Sequence, residues 1–170
     1  MASGAALLAL AGCSKEPAPA PPEEKAADSL TAGEYEVTTV VEDLRSTDNT
    51  TPLTKARLAA AGDPPLVHRA CIAGDGAMAP EMFGEPGDSC KVENSYARSG
   101  TINLQLSCTR PGAPGSVLQS VAGKFKADGF TTTVNTATYL NGPGDYAMRR
   151  AMTGRRIGDC PAAAADQKAS

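Results

Sequence analysis

Residues 90–108 place the tightest constraint on what this chain can fold into. Segments 90–97 and 101–108 flank Arg98-Ser99-Gly100, and folding the chain about Ser99 sets Ile102 opposite Tyr96, Leu106 opposite Val92 and Cys108 opposite Cys90. Ile102, Leu104 and Leu106 then share one face while Asn103, Gln105 and Ser107 share the other, as an antiparallel hairpin with one buried face requires. The hairpin predicts a Cys90–Cys108 disulfide and leaves Cys71 with Cys160. The alternative, Cys71 with Cys90 and Cys108 with Cys160, is disfavoured because a simple meander would place another strand between the last two.

The same period-two signature recurs along the chain. In 34–41, Tyr35, Val37, Thr39 and Val41 alternate with Glu34, Glu36 and Thr38, which predicts a half-buried strand. Residues 66–72 read as a second strand, and 117–126, 130–140 and 145–157 as three more, separated by turns at Ala127-Asp128-Gly129 and Asn141-Gly142-Pro143-Gly144. Thr51-Pro52 supplies an N-cap and a first-turn proline, so 53–61, stopped by Gly62 and Pro64, is predicted as one short helix. Residues 73–89, rich in Gly, Pro, Asp and Met, read as a loop with at most a helical turn near 80–83. The expected fold is mainly β: an antiparallel curved sheet or partly closed barrel of about six strands with one short helix, braced by two disulfides.

The disulfides matter because the core is light. There is no Trp, with three Phe and four Tyr, so burial rests on Val, Leu, Ile, Met and Ala. The N-terminus points to an oxidising compartment. Residues 5–11 are a short apolar run, too short for the roughly 20 residues of a membrane span, followed by Leu10-Ala11-Gly12-Cys13. This resembles the lipobox of bacterial lipoproteins, which implies cleavage before Cys13, acylation of Cys13 and a membrane anchor of several acyl chains. Residues 1–12 carry no Lys or Arg, which predicts that the true start lies upstream. Ser14 after the cysteine favours the outer membrane by resemblance to enterobacterial sorting rules.

Residues 13–32 read as a lipid-anchored tether rich in Pro and Ala, reaching roughly 25 Å as a coil and about 60 Å as polyproline helix. Residues 33–160 form a single domain, and 161–170 an unstructured tail. Four cysteines beyond Cys13, an even number in an exported chain, read as two disulfides. A zinc site is disfavoured because no CxxC occurs and there is one His. The net charge of −3 and the missing motifs argue against nucleic acid.

Among candidate sites, His68 reads as an ordinary strand histidine, because no nucleophile-elbow motif accompanies it. Arg149 and Arg155 share strand parity and form a candidate strip for phosphates, an anionic glycan or an acidic partner. The competing reading pairs the arginines with carboxylates such as Glu34, Glu36 or Asp159. Glu81, Glu85 and Asp88 read as solvated loop carboxylates without calcium-loop spacing. Met148 and Met152 read as core filling, and Gly74-Asp75-Gly76 and Gly142-Pro143-Gly144 as turns.

Across 33–160 the chain resembles the small exported bacterial proteins grouped as domain-of-unknown-function family 3617. The residues that carry the resemblance are Gly33-Glu34-Tyr35-Glu36-Val37, Arg69-Ala70-Cys71-Ile72, Asp88-Ser89-Cys90, Cys108 and the closing Thr153-Gly154-Arg155-Arg156-Ile157-Gly158-Asp159-Cys160. Tyr35 stands where many members carry Trp. The resemblance implies a fold and no mechanism. The expected function is therefore that of a lipid-anchored, non-enzymatic envelope module without cofactor or metal, binding another envelope protein or an anionic envelope ligand. The alternative is a periplasmic carrier of a hydrophobic ligand held between the curved sheet and the short helix.

Overall fold

The computed structural model describes residues 29–59, 64–74 and 76–161. The expected signal at 1–12, lipidation of Cys13, tether up to residue 28 and tail beyond 161 lie outside the described residues. So do the end of the expected helix and the side chain of Glu81. The described residues form seven strands: β1 (Gly33–Ser46), β2 (Leu66–Ile72), β3 (Ser89–Arg98), β4 (Thr101–Arg110), β5 (Ala113–Lys126), β6 (Gly129–Leu140) and β7 (Tyr146–Gly158). They make one antiparallel sheet in the order β2-β1-β7-β6-β5-β4-β3, curled into a half-barrel. Strands β3 to β7 are a meander, and β1 docks on the far side of β7, so the first and last strands are neighbours.

The curl follows from interrupted ladders. Pairing shifts between Glu34 and Tyr35, Val41 and Asp43, Val92 and Asn94, and Cys108 and Arg110. An extra residue on one strand bends it and increases its twist. The expected hairpin forms with Cys90 opposite Cys108 and Val92 opposite Leu106, but the bulge after Val92 moves its far end by one residue. Ile102 therefore faces Ala97, and Tyr96 faces Asn103. Ser99 and Gly100 both take positive φ, 49° and 70°, the mirror-image turn whose twist suits a two-residue hairpin.

One element is corrected outright. No helix forms over the described part of 53–61, because its backbone donors go to distant strands and to neighbours two residues back rather than to carbonyls four residues back. Leu53 N–H donates to Gly144 O at 2.9 Å, Ala59 N–H to Val41 O at 3.2 Å, and Ala56 N–H to its neighbour Thr54 Oγ1 at 2.9 Å. Asp48 fixes the entry to this segment. Its Oδ1 accepts from Ser46 Oγ, Thr50 N–H and Thr50 Oγ1, and its Oδ2 from Gly144 and Asp145 N–H. Those donors hold the Asp48 carboxyl well below its usual range, the Thr50 hydroxyl being the largest cause.

The concave face carries the core. Tyr35, Val37, Ile102, Leu106, Val117, Val121, Phe125, Phe130, Val134 and Met152 pack there with the Cys90–Cys108 disulfide. Each such apolar side chain contributes roughly 1.5–3 kcal/mol on burial. Residues 76–88 of the link between β2 and β3, here called the strap, cross this face and add Met82 and Phe83, both buried. Phe83 meets Phe130 with ring centroids 6.0 Å apart. Gly154 lies under that ring, where a Cβ would fall 2.1 Å from Phe130 Cε1.

Candidate functional site

Two ionisable constellations stand out, one inside the half-barrel and one outside. The inner one is built on Arg110, at the end of β4. Its Nε donates to Asp88 Oδ1 at 2.7 Å and its Nη2 to Asp88 Oδ2 at 2.9 Å, a two-pronged pair, and Nη2 also reaches Glu85 Oε1 at 2.8 Å. Nη1 donates to Leu53 O at 2.6 Å and to Tyr146 Oη at 2.9 Å. Tyr146 and Thr54 donate their hydroxyls to the two oxygens of Glu85. The side chains of Arg110, Glu85 and Asp88 are 13%, 8% and 0% exposed. Glu85 and Asp88 are therefore not the solvated loop carboxylates expected from their neighbourhood. The strap delivers them to an arginine that closes the β4–β5 turn, and no motif in the sequence marks that arginine.

Arg150 lies deeper. It points inward from β7, is 5% exposed, and gives its Nη2 to Phe83 O at 2.5 Å and its Nη1 to Gly84 O at 3.5 Å. Burial pulls its pKa down from the ordinary arginine value. His68, on β2, is likewise lowered by burial, with the Met82 backbone opposing the shift and Arg150 adding to it. Hydrogen bonding to Asp88 raises Arg110 instead. Such a fully interlocked set holds a strap to a sheet. Every charged member of the Arg110 set faces another.

These shifts predict an alkaline weakness. Burial, then the hydrogen bond and charge of Glu85, push the Tyr146 hydroxyl well above its ordinary 10.0, and burial also raises Tyr35. A group whose folded pKa is raised keeps its proton longer when folded, so its contribution is fully present below about pH 10 and is lost as pH climbs toward the folded value. The urea midpoint should fall above about pH 10, and Tyr146→Phe should flatten that fall. An unchanged slope in the variant would assign the loss to other groups.

Outside, Arg149 and Arg155 project from β7 on the convex face, with side chains 57% and 74% exposed. Six residues apart on one strand, they stand roughly 20 Å from each other. Arg149 Nε meets Glu42 at 3.0 Å, and Arg155 Nη2 lies 3.7 Å from Glu36. Arg156 bonds Asp159 at 2.5 Å and Ala32 O at 2.9 Å, and Arg69 lies 3.5 Å from Glu34. The strip thus alternates with carboxylates along its length. His68 sits apart from both constellations' donors except for Met82 and Arg150. Met148 and Met152 are buried at 2% and 1% exposure. Among the described residues no three His, Cys, Asp or Glu side chains converge to hold a metal.

Cys71 and Cys160 flank the start of β1. Cys71 faces Glu34 from β2, and Gly158, two residues before Cys160, faces Glu34 from β7. Their thiols are free and in contact. Burial, then the hydrogen bond that the Cys71 thiol donates to Cys160, push Cys71 up to about 11.

The architecture defines a class: a curled antiparallel half-barrel whose concave side is crossed by its own strap, with the strap's Glu85 and Asp88 paired to Arg110. The chain belongs to the family described as "Protein of unknown function (DUF3617)", whose profile matches residues 30–160. No curated protein and no solved structure matches it.

Proposed function

We propose that the chain is a non-enzymatic binding module, anchored through lipidated Cys13 on the periplasmic side of the envelope, with the outer membrane as its site. Its binding surface is the convex strip of Arg149 and Arg155, and its partner an anionic envelope ligand or an acidic face of another envelope protein. A second disulfide, Cys71 to Cys160, completes the domain in that oxidising compartment.

The observation that carries the reading is the contrast between the two arginine sets. Arg110 is locked to buried carboxylates, whereas Arg149 and Arg155 hold theirs in open solvent, where such pairs are worth about 0–1 kcal/mol. An anion offering several oxygens can displace Glu42 and Glu36 at little cost, and guanidinium forks suit phosphate or carboxylate. The test is sedimentation with vesicles containing lipopolysaccharide, using the soluble domain so that the lipid anchor does not contribute. Wild type should co-sediment in a salt-sensitive way, and Arg149→Glu with Arg155→Glu should abolish it. Equal sedimentation of both proteins would end the strip reading.

A further inference from the structure

The floor of the half-barrel holds a group of polar atoms that the protein itself does not satisfy. Gln119 Oε1 and Nε2, Thr132 Oγ1, Thr136 Oγ1 and Arg150 Nε are buried with no hydrogen-bond partner among the described residues. Gln119, Thr132 and Thr136 are each 3% exposed. A buried donor or acceptor left unmade is costly, so a group of five calls for an occupant.

These atoms form one patch. Gln119 on β5 is paired with Thr136 on β6, and Arg150 on β7 is paired with Val134, which places Thr132 and Thr136 on its two diagonals. Diagonal neighbours on one sheet face lie about 7–8 Å apart at Cα, within reach of a long side chain. The patch is donor-rich. Arg150 Nε–H and the Gln119 amide can only donate on the nitrogen side, the two threonine hydroxyls can donate as well, and Gln119 Oε1 is the one obligate acceptor. Among the described residues Arg150 makes no ion pair: its Nη atoms go to the carbonyls of Phe83 and Gly84, while Glu85 and Asp88, which act on its charge without touching it, are engaged by Arg110. Around the patch the floor is hydrocarbon: Val121, Val134, Leu106, Met148 and Met152.

We propose that this floor is a binding site for a single-chain carboxylic amphiphile. The carboxylate accepts from Arg150 Nε–H, the Gln119 amide and the Thr136 hydroxyl, and the hydrocarbon chain lies on the apolar floor in place of Met82 and Phe83. Entry requires the strap to lift, so the strap is both lid and stand-in for the ligand. The site is independent of the convex strip.

Titration calorimetry of the soluble domain with decanoate, decanol and inorganic phosphate tests this. Decanoate should bind saturably at one site, with decanol weaker by about tenfold or more because it forgoes the charge-assisted bonds, and phosphate should not bind there. Gln119→Leu with Thr136→Val should lose about tenfold or more in decanoate affinity while folding normally, since the exchange removes unmet polar groups. Arg149→Glu with Arg155→Glu should leave decanoate binding unchanged, which separates this site from the convex one. Absence of saturable decanoate binding would overturn the proposal. So would equal binding of decanol, or full affinity in the Gln119/Thr136 variant.

Discussion

Replacing Arg110 with alanine should lower the free energy of unfolding by about 3–5 kcal/mol, the cost of leaving buried charges without their partner. Two carboxylates depend on this guanidinium, and their side chains are nearly or wholly inaccessible to solvent. Tyr146 Oη and Leu53 O lose a donor at the same time. Small domains hold only about 5–15 kcal/mol in total, so the variant should unfold at a much lower urea concentration, with the strap released first. The triple change Arg110→Met, Glu85→Gln and Asp88→Asn should cost less than Arg110→Ala alone, because it removes the charges together. If the single variant lost under about 1 kcal/mol, the network would have to be solvent-screened rather than buried.

Removing cysteines in pairs should give the second large effect. Cys90→Ser with Cys108→Ser opens a loop of 18 residues, and the chain-entropy relation puts its loss at about 3 kcal/mol. The effect falls on a sheet edge, since β3 has no neighbour beyond it and its residues after Cys90 are exposed. Cys71→Ser with Cys160→Ser interrupts a loop of roughly ninety residues, worth about 4–5 kcal/mol when the bond is closed. Protein prepared under oxidising conditions should resist alkylation at all four domain cysteines, and its urea midpoint should fall in both double variants. Alkylation of Cys71 and Cys160 in oxidised protein, with no stability change on their replacement, would sink the second bridge.

How far the fold could be read in advance depended on whether an element kept one face apolar. Where alternation is clean, as in β1 and β4, the strand and its inward side follow from residue type alone. The Cys90–Cys108 pairing was legible because hairpin geometry and chemistry agreed. The bulge after Val92 was not, because no residue type marks it. The capped segment after Thr51 carried every local sign of a helix, yet its donors bind Gly144 and Val41, partners that only the folded sheet brings near. β6 hid its inner polar patch for a different reason: Thr131, Thr132, Thr133, Asn135 and Thr136 look alike whichever face they take. Glu85 and Asp88 read as solvated groups because the strap's composition is that of a surface loop. Their burial depends on Arg110, and nothing local in the sequence connects the three.

The place of β1 within the sheet also decides how the domain would bear a load. β1 is paired with β7 along nearly all of its length and with β2 over its first half. A pull on the chain ahead of Gly33 would draw β1 along its own axis, so that many rungs must shear together before any strand moves. The same pull on β3 would peel a free edge one rung at a time. The N-terminal end is the mechanically strong attachment point of this half-barrel.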